Sequence, residues 1–135
     1  MVDTNLFNRI TARIDASKPA MIDLQKKLAA IPAIGPKNEG KGEWEKSRFL
    51  KSYLGQAGFP QVQEYDAPDS SVPNGVRPNF VVKVPGRSNS KTVWIMTHMD
   101  VVPPGERSLW ENDPFTVIEK DGKLIGRGVE DNQQG

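Results

Sequence analysis

Two stretches decide the fold of this chain: VWIMTHMDVVP at residues 93–103 and KLIGRGVEDNQQG at residues 123–135. The first is an apolar run that ends in His98, one spacer residue and Asp100, and the second is a strand-like run that ends in two glycines and two acidic residues. Apolar residues without alternation are typical of a strand that is covered on both faces. We therefore expect residues 92–97 in the middle of a sheet, and the polar residues of both stretches together beside its end.

The segments before these stretches predict helices. Apolar residues recur at spacings of three and four along the N-terminal segment, which predicts a helix from about Asn5 to Ala30 whose apolar stripe packs in the core. Pro19 either kinks this helix or begins a second one. A further helix is expected from Trp44 to about Gln56, with its aromatic side chains buried and Gly58 as a left-handed C-terminal cap.

The rest of the chain alternates between strand candidates and loops. VQEY at residues 62–65 and NFVVKVPG at residues 79–86 are strand candidates, and a short link predicts a hairpin between residues 79–86 and 91–100. Alternating apolar residues on both sides of Asp121-Gly122 predict a second hairpin. Proline and glycine mark three loops, of which the first two are expected at the surface: residues 31–43, 66–79 and 101–114.

Composition excludes several classes of function. The 135 residues, 36% of them hydrophobic, suffice for one core and one domain. A net charge of +1 provides no dense positive field for nucleic acid, and the lack of cysteine excludes disulfides and thiolate metal sites. No apolar run approaches membrane-spanning length, and the N-terminus lacks the pattern of a signal peptide. We expect a cytoplasmic protein with neither nucleic-acid nor membrane partners.

His98 is the only histidine and the first candidate site residue. Residues two apart in extended backbone point the same way, so Asp100 can accept a hydrogen bond from one imidazole nitrogen and leave the other free to bind a metal. Asp100 could equally be no more than the first polar residue of a loop. Asp131 is a second candidate ligand, because a carboxylate can bridge two cations, but its neighbour Glu130 is compatible with the same role. The two glycines before them permit either a turn with positive φ or a close backbone approach.

The order of these motifs resembles the N-terminal half of the catalytic domain in the dinuclear zinc peptidase and deacylase family. That family includes acetylornithine deacetylase, succinyl-diaminopimelate desuccinylase, aminoacylase and carboxypeptidase G. The matching elements are Thr97-His98-Met99-Asp100-Val101-Val102-Pro103, Trp110, Asp113-Pro114-Phe115, Asp121-Gly122, Gly126-Arg127-Gly128 and Asp131. The resemblance implies an α/β fold, namely the N-terminal portion of a three-layer zinc-peptidase-like domain with a mixed β-sheet flanked by helices.

The resemblance also implies roles for individual residues. His98 would bind one Zn²⁺, Asp131 rather than Glu130 would bridge two metal ions, and Asp100 would be the catalytic-site carboxylate that orients His98. Co²⁺ or Mn²⁺ would suit the same ligands. The implied reaction is hydrolysis of an amide bond in an N-acyl amino acid or dipeptide, by a metal-activated water and a glutamate base. Three loop residues would shape the surroundings of the site or simply pack there: Trp110, Asp113 and Phe115.

The family pattern continues well past the motifs found here. Many members carry lysine and glycine after the residue that matches Asp131, where this chain has Asn132-Gln133. The glutamate base, the other metal ligands and the lid domain come later still. We therefore expect residues 1–135 to be a partial catalytic domain, inactive alone, without the lid or dimerisation domain and the C-terminal half. If this part is ordered in isolation, a homodimer is a reasonable hypothesis. The alternatives are a non-catalytic binding module that keeps the fold and a regulatory protein without metal.

Overall fold

The computed structural model of the protein describes residues 3–88 and 90–133. Its regular elements are two α-helices, two short 3₁₀ turns and six short strands. In chain order they are α1 (Thr4–Ala29), a 3₁₀ turn (Pro36–Asn38), α2 (Trp44–Gln56), β1 (Gln63–Glu64), β2 (Ala67–Pro68), β3 (Val76–Arg77), β4 (Phe80–Val81), a 3₁₀ turn (Arg107–Leu109), β5 (Ile118–Lys120) and β6 (Lys123–Ile125). No helix in the described part of the chain is long and apolar enough to cross a membrane.

Helix α1 confirms the predicted N-terminal helix and settles the question of Pro19, which lies inside one continuous helix. The carboxylate of Asp3 caps its first turn by accepting hydrogen bonds from the backbone N–H groups of Asn5 and Leu6. The prediction that the whole apolar stripe is buried is wrong. Only Leu28 and Ala29 are buried, and earlier members of the stripe are about half exposed. The helix contacts the core with its C-terminal end alone.

Helix α2 confirms the predicted bounds, and Gly58 follows it with a φ of +79°. The prediction that its aromatic side chains form the buried face is wrong, because Trp44, Phe49 and Tyr53 are only half-buried. The fully buried positions are polar: Lys46 and Ser47, with 3% and 0% of their surface exposed. The first turns of α2 therefore face the interior, and they do so with a charged group.

The strands form three separate two-stranded antiparallel sheets: β1 with β4, β2 with β3, and β5 with β6. Because β4 pairs with β1, the predicted hairpin between residues 79–86 and 91–100 is absent. The predicted central strand at residues 92–97 is also wrong. These residues form no strand, and the apolar side chains of residues 93–96 are 69–87% exposed. No other described segment pairs with their backbone, so nothing covers them.

The hairpin of β5 and β6 confirms the prediction at Asp121-Gly122. Ile118 pairs with Ile125 and Lys120 with Lys123, so the loop between them has two residues. Asp121 and Gly122 have φ values of +52° and +72°, which is the combination that a type I′ turn requires.

The core lies where the two predicted surface loops meet the residues after Asp100. Ala33 is fully buried and Val72 is 5% exposed, so the prediction that both loops lie on the surface is wrong in part. The N–H of Val101 donates to the carbonyl of Ala33 at 3.0 Å, within a parallel bridge between Val101 and Ile34. This bridge ties the His98 segment to the buried loop and fixes its position.

Candidate metal centre

One cavity, of about 220 Å³, brings the two site stretches together. His98, Asp100 and Val101 line it from one side, and the turn formed by residues 126–131 lines it from the other. The expectation that both stretches deliver polar side chains to one place is confirmed. The two stretches meet although the predicted central strand is absent. Contacts of Val101 and Asn132 align them instead.

The glycines of the second stretch allow the close approach. Gly128 has a φ of +82°, and a Cβ atom there would lie 2.7 Å from Cγ1 of Val101. A Cβ atom at Gly126 would lie 2.7 Å from Cγ2 of Val117 and 3.3 Å from the carbonyl oxygen of Pro114. A side chain at Gly128 would therefore push the turn away from Val101, and one at Gly126 would push it away from Val117 and Pro114.

Both ring nitrogens of His98 contact carboxylate oxygens. Nε2 lies 2.9 Å from Oδ1 of Asp131, and Nδ1 lies 3.1 Å from Oδ1 of Asp100 and 3.0 Å from its main-chain oxygen. The hydrogen bond with Asp131 raises the pKa of His98 above its ordinary value. Partial burial opposes this rise, and Asp100 adds to it. The protonated imidazole can donate to both carboxylates at once.

Asp131 contacts His98, whereas Glu130 lines the same cavity and forms no hydrogen bond or ion pair with the imidazole ring, although both side chains are exposed. A second contact next to this one also joins the two stretches, although His98 and Asp131 are 33 positions apart in the sequence. Oδ1 of Asn132 accepts hydrogen bonds from the hydroxyl of Thr97 at 2.9 Å and from the N–H of His98 at 3.3 Å. Sequence reasoning missed Asn132, which it noted only as a departure from the family pattern.

The pair of His98 and Asp131 fits a small divalent cation. Zinc binds imidazole nitrogen at about 2.0 Å and carboxylate oxygen at about 2.0–2.2 Å, and tetrahedral geometry then separates the two ligand atoms by about 3.3 Å. The observed separation of 2.9 Å requires only a small outward shift. Among residues 3–88 and 90–133, no group of three or more histidine or acidic side chains is arranged to hold a metal. The pair therefore offers two potential ligand atoms, and a metal site built on it would need further ligands.

The loop residues next to the site are held by hydrogen bonds. The indole Nε1 of Trp110 donates to the carbonyl oxygen of Pro104 at 3.0 Å. Oδ1 of Asp113 accepts from the N–H of Phe115 at 2.8 Å, which closes a tight turn. The next carbonyl, that of Pro114, accepts from the N–H of Arg127 at 2.7 Å and so joins this loop to the Asp131 turn.

Comparison with known proteins identifies similar sequences. The sequence pattern described as peptidase family M20/M25/M40 matches residues 94–135. A metallohydrolase of Methanocaldococcus jannaschii is 38% identical over 84% of this chain and 28% of its own length. A succinyl-diaminopimelate desuccinylase of Nautilia profundicola is 36% identical over 85% of this chain and 27% of its own length.

A solved structure is similar to this chain in its fold. The dipeptidase Dug1p of Saccharomyces cerevisiae superposes with a TM-score of 0.74 at 27% identity, over 90% of this chain and 27% of the dipeptidase. The α/β fold class is thereby confirmed. The chain spans less than a third of the length of each of these proteins.

Proposed function

Because this chain matches the N-terminal part of peptidase family M20/M25/M40, we propose that it carries the first residues of the metal centre of an amide-bond hydrolase. The substrates are N-acyl amino acids or dipeptides. The names of two similar proteins, a desuccinylase and a dipeptidase, support this substrate class. The observation that carries the proposal is the contact of 2.9 Å between Nε2 of His98 and Oδ1 of Asp131, with Nδ1 of the same ring held by Asp100.

Each of these residues has its own task. Nε2 of His98 and the carboxylate of Asp131 would hold the divalent ion, which is Zn²⁺, with Co²⁺ or Mn²⁺ as alternatives. Asp131 has a second oxygen with which it would bridge to a second ion. When bound, such ions lower the pKa of a water molecule and polarise the amide carbonyl. The carboxylate of Asp100 would accept a hydrogen bond from Nδ1–H of His98, which would fix the tautomer and keep Nε2 directed at the metal.

The 135 residues represent a partial catalytic domain in this proposal. Their coverage of 27–28% of the similar proteins supports this, as does the absence of a three-ligand group among residues 3–88 and 90–133. By themselves they would not hydrolyse substrate, because the general base and the other ligands of the family are not among them. The homodimer and the cytoplasmic location stay predictions.

One observation favours a second candidate function, a non-catalytic binding module that keeps the fold. The described residues offer two metal ligands and not three, so a weakly bound ion or none is compatible with them. The two candidates differ in what a metal chelator does. A binding module would recognise its ligand without turnover, and chelation would change no reaction rate.

Hydrolysis assays on the complete reading frame that contains these residues test the proposal. A panel of N-succinyl amino acids, N-acetyl amino acids and dipeptides is incubated with and without a chelator. We expect a chelator to abolish turnover and added Zn²⁺ to restore it. Asp131→Asn should remove turnover, whereas the matched variant Glu130→Gln should retain it. Turnover that persists in the presence of chelator would disprove the metal mechanism, and binding without turnover would favour the module.

A further inference from the structure

Arg127 lies in the turn that carries Asp131, and its guanidinium group is engaged by neutral partners alone. Its Nη2 donates to the carbonyl oxygen of Pro104 at 3.3 Å, and its Cζ lies 5.5 Å from the centre of the Trp110 ring. Within the described part of the chain, no carboxylate forms an ion pair with it, and its Nε is buried without a hydrogen-bond partner. Burial of a cation is unfavourable unless something offsets it, so these contacts have to be strong enough to hold it there.

The contacts of Arg127 converge on one carbonyl group. The oxygen of Pro104 accepts from Nη2 of Arg127 and also from Nε1 of Trp110, at 3.0 Å. The guanidinium group therefore lies over the indole ring and also donates to the oxygen that accepts the hydrogen bond of that ring. We call this arrangement of Pro104, Trp110 and Arg127 the arginine clamp. A lysine would reproduce it less well, because an ammonium group lacks the planar fork of donors that lets a guanidinium group lie over the ring and donate to Pro104 at the same time.

The arginine clamp joins the two halves of the candidate metal centre. Pro104 and Trp110 belong to the loop that continues directly from His98 and Asp100, whereas Arg127 belongs to the Asp131 turn. The backbone of Arg127 adds a bond to the carbonyl of Pro114, so main chain and side chain attach the turn to the same loop. Arg127 itself lines the cavity beside both His98 and Asp131.

We propose that Arg127 is a positioning residue, whose side chain fixes the Asp131 turn against the loop after His98 and so keeps Asp131 in contact with Nε2 of the imidazole. It acts through Asp131 and touches no reacting atom. The inference rests on the proposed function, because that function gives the pair of His98 and Asp131 its importance. The contact between these two residues, however, exists without any metal. The two ideas can therefore be tested separately.

The single histidine makes the test direct. In the 135-residue chain labelled with ¹⁵N, the two imidazole nitrogens in the spectrum can belong only to His98. Their chemical shifts at one fixed pH, without metal, report which partner each nitrogen has. Asp131→Asn defines the shift that accompanies a weakened contact at Nε2. Unfolding by denaturant, measured in parallel, reports whether a variant remains folded.

We compare Arg127→Met with Arg107→Met, a matched control on the same loop. Nη1 of Arg107 donates to the main-chain oxygen of Trp110 at 2.9 Å, but its side chain is exposed and does not reach the turn of Asp131. We expect Arg127→Met to move the Nε2 signal in the direction that Asp131→Asn defines, and Arg127→Lys not to restore it. Arg107→Met should leave the signal where it is in the wild-type chain.

Two results would overturn the proposal: a wild-type Nε2 signal in Arg127→Met, or an equal displacement in Arg107→Met. If Arg127→Met does not fold, Trp110→Phe decides instead. This variant keeps a smaller ring near the guanidinium and removes the N–H that binds Pro104, so a smaller displacement in the same direction supports the clamp and no displacement refutes it. A failure to bind Zn²⁺ would count against the proposed function alone, because this experiment contains no metal.

Discussion

Lys46 should make the stability of this protein rise steeply with pH in the alkaline range. Only 3% of this residue is exposed, and burial lowers its pKa from 10.5 to about 8. The carboxylates of Asp100 and Glu43 oppose this effect without cancelling it. Within the described residues, no acidic oxygen lies close enough to Lys46 to form an ion pair. The folded state therefore holds the proton of Lys46 less tightly than the unfolded state does.

The magnitude follows from the two pKa values. A difference between 10.5 and about 8 corresponds to about 3 kcal/mol, which the folded protein loses wherever Lys46 must be charged. The sign is that of a depressed pKa, because the unfolded chain binds more protons between the two values. The unfavourable contribution is complete below about pH 8, declines as the pH rises, and is gone above about pH 10.5. Between about pH 7 and about pH 10 the free energy of unfolding should gain roughly 2.5 kcal/mol from this group.

Denaturant unfolding of wild type and Lys46→Met across this range measures the effect. We expect Lys46→Met to be the more stable protein by about 3 kcal/mol at about pH 7, and this advantage to shrink to below about 1 kcal/mol at about pH 10. The matched control is Lys41→Met, since Lys41 is exposed and lies just before the same helix. A difference between wild type and Lys46→Met that stays constant with pH would refute the reasoning.

Two other predictions concern buried charge and backbone geometry. Glu43→Gln should lower the free energy of unfolding by about 3 kcal/mol. The reason is that Glu43 is only 5% exposed and that Arg77 binds its carboxylate with Nε, at 2.6 Å, and with Nη2. A loss below about 1 kcal/mol in denaturant unfolding would show that the pair is dispensable. Gly122→Ala should lower the free energy of unfolding by about 1 kcal/mol, because φ is +72° but the space around a new Cβ atom is open. Gly128→Ala should lower it by at least about 2 kcal/mol, because its new Cβ atom would also meet Val101. Equal costs in the same assay would contradict the close approach at Gly128.

Local signals in the sequence predicted the local structure well. The spacing of apolar residues gave the bounds of α1 and α2 to within a residue or two, because that spacing acts within one helix. Asp121-Gly122 predicted its hairpin because both residues adopt positive φ at little cost. These features depend on residues that are close to each other in the sequence, and the sequence shows such residues directly.

Features that depend on distant contacts were predicted poorly. Whether residues 93–96 are buried depends on a strand that pairs with them, and apolar character alone cannot supply one. The burial of Lys46 was missed for a related reason, since it depends on tertiary contacts that the helical pattern does not show. The helical periodicity predicted that the aromatic residues of α2 face the interior, but tertiary contacts orient the helix differently.

The candidate site lies between these two cases. The meeting of His98 with an acidic residue of the second stretch was predicted from the general behaviour of strand ends, although Val101, Gly128 and Asn132 bring it about instead. The residues alone left Glu130 and Asp131 as equal candidates. Resemblance to the family favoured Asp131, and this is the carboxylate that contacts His98. Its role as a metal ligand stays a prediction.

The most direct test of the central claim is a Zn²⁺ titration of the ¹⁵N-labelled chain, followed at the two nitrogens of His98 near neutral pH. We predict that Zn²⁺ shifts the Nε2 signal saturably at concentrations up to about 1 mM and that Nδ1 keeps its bond to Asp100. Asp131→Asn should weaken binding, whereas Glu130→Gln should not. An Nε2 signal that Zn²⁺ leaves unchanged over this range, or one that shifts equally in both variants, would contradict the proposed metal site.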